Sequence, residues 1–226
     1  QTCALPISHA CSVGADAKVR LVFELPRSER AMLVSEGRKL AWSPTTSTLP
    51  AGLPVLVGAT LIVLAALVAY HNSFSGPFIY DDVSAIPENP TIKKLWPLSD
   101  VLSPPSDSGV TVNGRPVVNL SFALNYAIGG TSVWGYHAVN LAIHILAGLT
   151  LFGLIRRTLE LPVIQPRIRS AAPWIALVAS LLWVVHPLQT ESVTYVVQRA
   201  ESIVGLFMLL TLFCFLRGAT AGGNGR

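Results

Sequence analysis

Two aspartates stand side by side at Asp81 and Asp82, inside "GPFIYDDVSAIPENP". A carboxylate can take a proton from a hydroxyl or hold a cation, and a pair offers both. Neighbours in an extended chain point to opposite sides, so these two do not form a dyad sharing one proton. One can face a reaction centre while the other fixes the loop or approaches a cation. The plain alternative is a solvated turn, and composition leaves the two readings level.

A second polar group follows later, in "HPLQTESVTYVVQRAES", opened by His186 and Pro187. Read as a helix, Glu191, Tyr195 and Arg199 are four residues apart in turn and share one drifting stripe. They could line a cavity, with Arg199 available to a phosphate, which a guanidinium grips through two parallel hydrogen bonds. A helix cap with a surface pair is the bland reading. Arg115, beside Pro116, is a further phosphate candidate. His137, Asn140 and His144 share one face of an apolar run. His137 lies near its end and His144 about two turns deeper, where polar side chains usually bond between helices.

The elements that must carry these residues are membrane spans. Of 226 residues, 51% are hydrophobic and 12% charged, and soluble domains carry about 25% charged residues. Mean hydropathy is +0.55. The apolar residues come in four blocks, at 51–70, 136–155, 171–185 and 202–216. The first is uncharged over about 20 residues, enough to cross roughly 30 Å of hydrocarbon as a helix. It is long for a signal peptide and lacks a clear small-x-small cleavage site, so an uncleaved anchor is expected. The shorter third and fourth blocks suit tilted spans in a bundle.

Arg27, Arg30, Arg38 and Lys39 precede the first span, Arg156, Arg157, Arg167 and Arg169 separate the second from the third, and Arg217 follows the fourth. The positive-inside rule places these groups in the cytoplasm. Residues 71–135 and 186–201 then face outside, with only Lys93, Lys94 and Arg115 opposing in the long loop. The loop's first half reads as turns. Its second half, "GRPVVNLSFALNYAIGG", reads as a helix opened by Pro116 and closed by Gly129 and Gly130. Arg115, Asn119 and Tyr126 are expected on one side of it, with Leu120, Ala123, Leu124 and Ala127 on another. Such a helix can lie flat at the headgroups.

The pI of about 9.2 is explained by topology. No basic patch alternates with aromatics, so no nucleic-acid partner is expected. A phosphate-cradling glycine loop, a Gly-x-Ser-x-Gly elbow and HExxH are all missing from the sequence. Cys3, Cys11 and Cys214 have no metal-ligand spacing and suggest no disulfide framework. "QTCALPI" translates CAGACGTGTGCTCTTCCGATC, a sequencing-library adaptor, so residues 1–7 are expected to be an artefact. Residues 8–50 are expected to be a cytoplasmic tail, with Met32 a candidate true start, and 217–226 a truncated loop.

Four stretches together resemble the transmembrane and tetratricopeptide-repeat family of O-mannosyltransferase-like GT-C glycosyltransferases. They are "FIYDDVSAIPENPTI", "GRPVVNLSFALNYAIGG", "GYHAVNLAIHIL" and "HPLQTESVTYVVQRAESI", in order and at similar spacing over residues 52–216. The resemblance implies an all-α polytopic membrane protein in truncated form. It would have about four transmembrane helices and a long external loop carrying an interfacial helix. The activity implied is transfer of a sugar from a polyprenyl- or dolichyl-phosphate donor to protein Ser or Thr hydroxyls. Asp81-Asp82 matches the family's acidic motif in the first external loop. "GRP" departs from the aromatic that often precedes Arg-Pro, which leaves Arg115's role open.

On this reading Asp81 is the general base and Asp82 supports it or meets a divalent cation, with the roles exchangeable. Arg115 or Arg199 stabilises the leaving phosphate, with His186 assisting. Glu191 and His137 complete the expected substrate contacts. The location would be a bacterial inner membrane or an ER-type membrane, with a cytoplasmic N-terminus and the reacting loop external or lumenal. The rivals are a non-catalytic anchor or scaffold for tetratricopeptide repeats, with both aspartates exposed and remote from His186 and Arg199, and a transporter fragment with His144 on its path.

Overall fold

The computed structural model describes residues 52–104 and 111–221; the expectations for residues 1–50 and 222–226 lie outside them. Among the described residues, four helices are long and apolar enough to cross a membrane. These are α1 (Leu53–Tyr70), α5 (Val133–Leu159), α6 (Pro166–Val184) and α8 (Arg199–Ala221). Each holds one of the apolar blocks, and α5, α6 and α8 outrun theirs. The 27 residues of α5 make a rod of about 40 Å, so its polar ends stand beyond hydrocarbon roughly 30 Å thick. Arg217, expected to begin a loop, is still helical.

The remaining elements sit at one end of the bundle. Helices α2 (Asp81–Ala85), α3 (Leu98–Val101) and α4 (Pro116–Gly129) belong to the long loop, with a 3-10 turn at Pro90–Ile92. The α6–α8 link holds 3-10 turns at Pro187–Gln189 and Val196–Gln198 around the short helix α7 (Thr190–Thr194). No strand occurs among the described residues. The protein is an all-α, polytopic membrane protein.

Helix α5 packs against α1, α6 and α8. Glycine permits the closest approach: a Cβ at Gly148 would collide with the side chain of Val184, the small-residue contact that membrane helices use in place of a hydrophobic driving force. Among the spans, Ile62, Ala66, Tyr70, Leu141, Phe152, Ala176, Leu177 and Val184 form one core. The C-terminal carbonyl of α6, at Val184, has no helical acceptor role left. It accepts from Tyr70 Oη at 3.1 Å and bonds His144 Nε2 at 2.9 Å, as a backbone group in lipid requires. His144 also stacks on Trp183. It is buried and bonded between helices, at the wall of a cavity of about 310 Å³ that Ala147, Leu151, Trp183 and Leu206 also line.

A second core gathers at the loop end, from Ile86, Ile92, Val101, Val118, Phe122 and Tyr136 to Val196 and Val197. Helix α4 begins at Pro116 and stops at Gly130, whose φ of 58° suits glycine. Its faces differ from expectation. Asn119 is buried, accepting from Asn89 Nδ2 at 2.9 Å and donating to Thr91 Oγ1 at 2.8 Å and Val101 O at 2.7 Å. The loop therefore folds around an asparagine cluster. Val117, Leu124 and Ile128 are the exposed apolar side chains, as on a helix at a bilayer surface.

Candidate active site

The sequence "IYDD" closes a tight turn. Asp82 N–H donates to Ile79 O at 2.9 Å, which makes Tyr80 and Asp81 the two central residues. Asp82 Oδ2 accepts from Ile79 N–H at 3.2 Å, and its Oδ1 accepts from Val197 N–H at 2.8 Å. The side chain is 1% exposed. Burial pushes the Asp82 carboxyl above its usual range, while these N–H donors and nearby His137 pull it back. One buried carboxylate thus ties the long loop to the α6–α8 link.

Adjacent helical residues point about 100° apart, so with Asp82 inward, Asp81 turns out. It is exposed. Its Oδ2 accepts from Thr111 Oγ1 at 3.2 Å, and its N–H donates to Tyr195 Oη at 3.2 Å. Partial burial raises the Tyr195 phenol; the Asp81 N–H lowers it, and the charges of Asp81, Asp82 and Glu191 raise it further. The phenol stays protonated at neutral pH, a neutral hydroxyl beside a carboxylate. Asp81, Thr111, Tyr195 and Tyr80 form the polar tip of the turn.

Arg115 lies four residues beyond Thr111, at the N-cap of α4. Its Nη2 pairs with Glu201 of α8 at 3.2 Å, and both side chains remain about half exposed. Together they head a groove of about 630 Å³ that continues along Val204, Phe207, Met208 and Thr211. Ten residues of helix carry that groove about 15 Å along α8.

Several expectations are corrected here. Arg199 does not meet solvent: it is fully buried. Its guanidinium donates to Asn140 Oδ1 at 2.7 Å, Asn125 Oδ1 at 2.7 Å and Tyr136 O at 2.9 Å, over the Phe122 ring. It holds α4, α5 and α8 together and has no free edge for a phosphate. His137 is buried as well, its Nε2 bonded to Gly76 O at 3.0 Å, so it steadies the chain leading into the turn. Asp82 spends both oxygens on backbone N–H groups and shows no face to a cation. Among the described residues no three His, Cys, Asp or Glu side chains gather for a metal.

The stripe through Glu191, Tyr195 and Arg199 breaks because the chain is extended at Tyr195, between α7 and the next 3-10 turn. His186 and Glu191 are exposed on the link, and His186 Nδ1 accepts Leu188 N–H at 3.2 Å. The structure thus brings Asp81 and Asp82 onto the α6–α8 link, leaves Arg115 half exposed beside Glu201, and takes Arg199 and His137 inside. Sequence reasoning missed Tyr80 and Thr111. Thr111 carries no sequence signal, and Tyr80 is marked only by preceding the aspartates.

Relatives bear on this constellation. Over 163 residues the chain is 33% identical to Protein O-mannosyl-transferase TMTC2 of Mus musculus, covering 70% of this chain and 18% of the relative. It is 35% identical over 159 residues to Protein O-mannosyl-transferase Tmtc2 of Drosophila melanogaster, 67% of this chain and 16% of that protein. Protein O-mannosyl-transferase TMTC1 of Mus musculus is 32% identical over 203 residues, 86% of this chain and 20% of its own length. The chain is TMTC-like over its membrane part. It spans about a fifth of the length of the curated TMTC relatives it matches. No family model and no solved structure matches it. The TMTC matches agree with the family resemblance read from the sequence and with the four spans.

Proposed function

We propose that this chain carries the reaction-centre end of a membrane glycosyltransferase of the GT-C type. It would move a mannosyl group from a polyprenyl- or dolichyl-phosphate donor to a Ser or Thr hydroxyl of a protein. The names of the TMTC relatives support the transfer. The observation that carries the assignment of roles is the Asp82 clamp, which fixes the turn from both sides and leaves Asp81 as its solvent-facing carboxylate. In this reaction the acceptor oxygen attacks the anomeric carbon, its proton passes to Asp81, and the bond to the phosphate oxygen breaks with its electron pair. A positioned base contributes about 10²–10⁴-fold to such a step.

The phosphate gains negative charge as it leaves. Arg115, half exposed beside its partner Glu201, is the cation placed to meet it, at the head of an apolar groove that suits a lipid chain. His186 and Glu191, exposed on the link, are left for acceptor contacts. The long loop and the link touch through Asp82 and Val197, so base and Arg115 share one face of the bundle, external or lumenal by the positive-inside rule.

The test uses the full-length protein in membranes, with lipid-linked mannose and a Ser/Thr peptide. Asp81→Asn is expected to lower the transfer rate by about 10³-fold with the melting temperature unchanged. Wild-type rates from that variant would refute the role of Asp81.

A further inference from the structure

Tyr80 is in a conformation that its own type disfavours. Its φ is 46° and ψ −117°, and among the described residues no other non-glycine has a positive φ. With Asp82 N–H bonded to Ile79 O, Tyr80 occupies the first central position of a type II′ turn, where glycine is the unstrained choice. Asp82 imposes the geometry by holding Ile79 N–H on one side and Val197 N–H on the other.

The fold gains no packing from the ring in return. Tyr80 is 85% exposed, and its side chain makes no hydrogen bond or ring contact with the described residues. Backbone strain kept at an exposed residue points to a use outside the fold. What the strain achieves is placement: the turn sets the Tyr80 ring in solvent one residue before Asp81, whose carboxylate takes the Thr111 hydroxyl and whose N–H meets the Tyr195 hydroxyl. Pyranose rings present one face of C–H groups and an edge of hydroxyls. An aromatic surface suits the first, and convergent carboxylate and hydroxyl groups suit the second. An aromatic anchor at the bilayer surface is the competing role, and exposed Trp96 and Trp134 fit it without strain.

We propose that Tyr80 is a sugar-contacting residue, its ring the platform on which the transferred pyranose rests while Asp81 deprotonates the acceptor. This rests on the glycosyltransferase reading and adds a binding role to it. The experiment is nitration of tyrosines by tetranitromethane in the full-length protein in nanodiscs, followed at Tyr80 by peptide mass spectrometry. Polyprenyl-phosphate mannose is expected to slow nitration of Tyr80, and polyprenyl phosphate without the sugar is not. Equal nitration with both, or with neither, overturns the proposal, and protection by the bilayer alone assigns the ring to the membrane surface.

Transfer kinetics add a second reading. Tyr80→Gly, whose backbone fits the turn, is expected to melt no lower than wild type. It should raise the donor KM about tenfold, the loss of a stacking contact, while Tyr80→Phe keeps it. A wild-type KM in Tyr80→Gly also overturns the proposal. A wild-type protein that transfers nothing sinks the glycosyltransferase reading instead, and nitration still decides on Tyr80.

Discussion

Replacing Asp82 by asparagine keeps the size of the side chain and removes one of its two acceptor oxygens. In the native turn those oxygens take Val197 N–H at 2.8 Å and Ile79 N–H at 3.2 Å. An asparagine can serve one of them and sets its own NH₂ against the other. A hydrogen bond to a charged group contributes about 1.5–3 kcal/mol, and a buried N–H left unsatisfied costs about 1–3 kcal/mol. The cost of burying the carboxylate offsets part of the first figure, so Asp82→Asn is expected to destabilise by about 2 kcal/mol and Asp82→Ala by about twice that. At about 2–4 °C per kcal/mol, the asparagine variant should melt about 4–8 °C lower in detergent.

The pH dependence has a definite sign. Burial holds the Asp82 carboxyl above its ordinary value, so the folded state binds this proton more readily than the unfolded chain does. The resulting stability is fully present below the unfolded pKa of about 3.9 and is lost as pH rises through the folded value. The gap in melting temperature between wild type and Asp82→Asn should therefore widen as pH is lowered from neutral toward 4. Variants within about 0.5 kcal/mol of wild type would refute the clamp, and a gap that narrows in acid would show instead that the N–H donors outweigh burial at Asp82.

Two further substitutions test the frame around the site. Arg199→Met leaves Asn140 Oδ1 and Asn125 Oδ1 without their donor in the core. The expected loss is about 3 kcal/mol, read as a melting shift together with faster proteolysis of the α6–α8 link. Gly148→Ala drives a methyl into Val184 and is expected to cost about 1–3 kcal/mol, whereas Gly205→Ala, in open space, should leave the melting temperature unchanged.

The spans and the ends of α4 were legible because length, charge and the Pro and Gly at each terminus are local properties of the chain. The inward turn of Asn119 was not. Periodicity assigns polar residues to solvent, and only the fold brings Asn89 and Thr91 within reach of that amide. The link misled in a different way: a spacing of four between Glu191, Tyr195 and Arg199 counts only if the helix is continuous. Its β-branched run, Val193, Thr194, Val196 and Val197, was the available sign that it is not. The burial of Arg199 had no local sign, since its partners lie 59 and 74 residues away. Nor could sequence assign inner and outer roles to Asp81 and Asp82, which depend on where Val197 comes to rest.

The oxygen at the end of α6 is a shared anchor. Tyr70 arrives at Val184 O from α1 and His144 from α5, so three rods converge on a single atom like the legs of a tripod. None can tilt alone without stranding a polar group in lipid. The link that follows starts from a stationary point, and the turn that Asp82 fastens to it rests on settled ground.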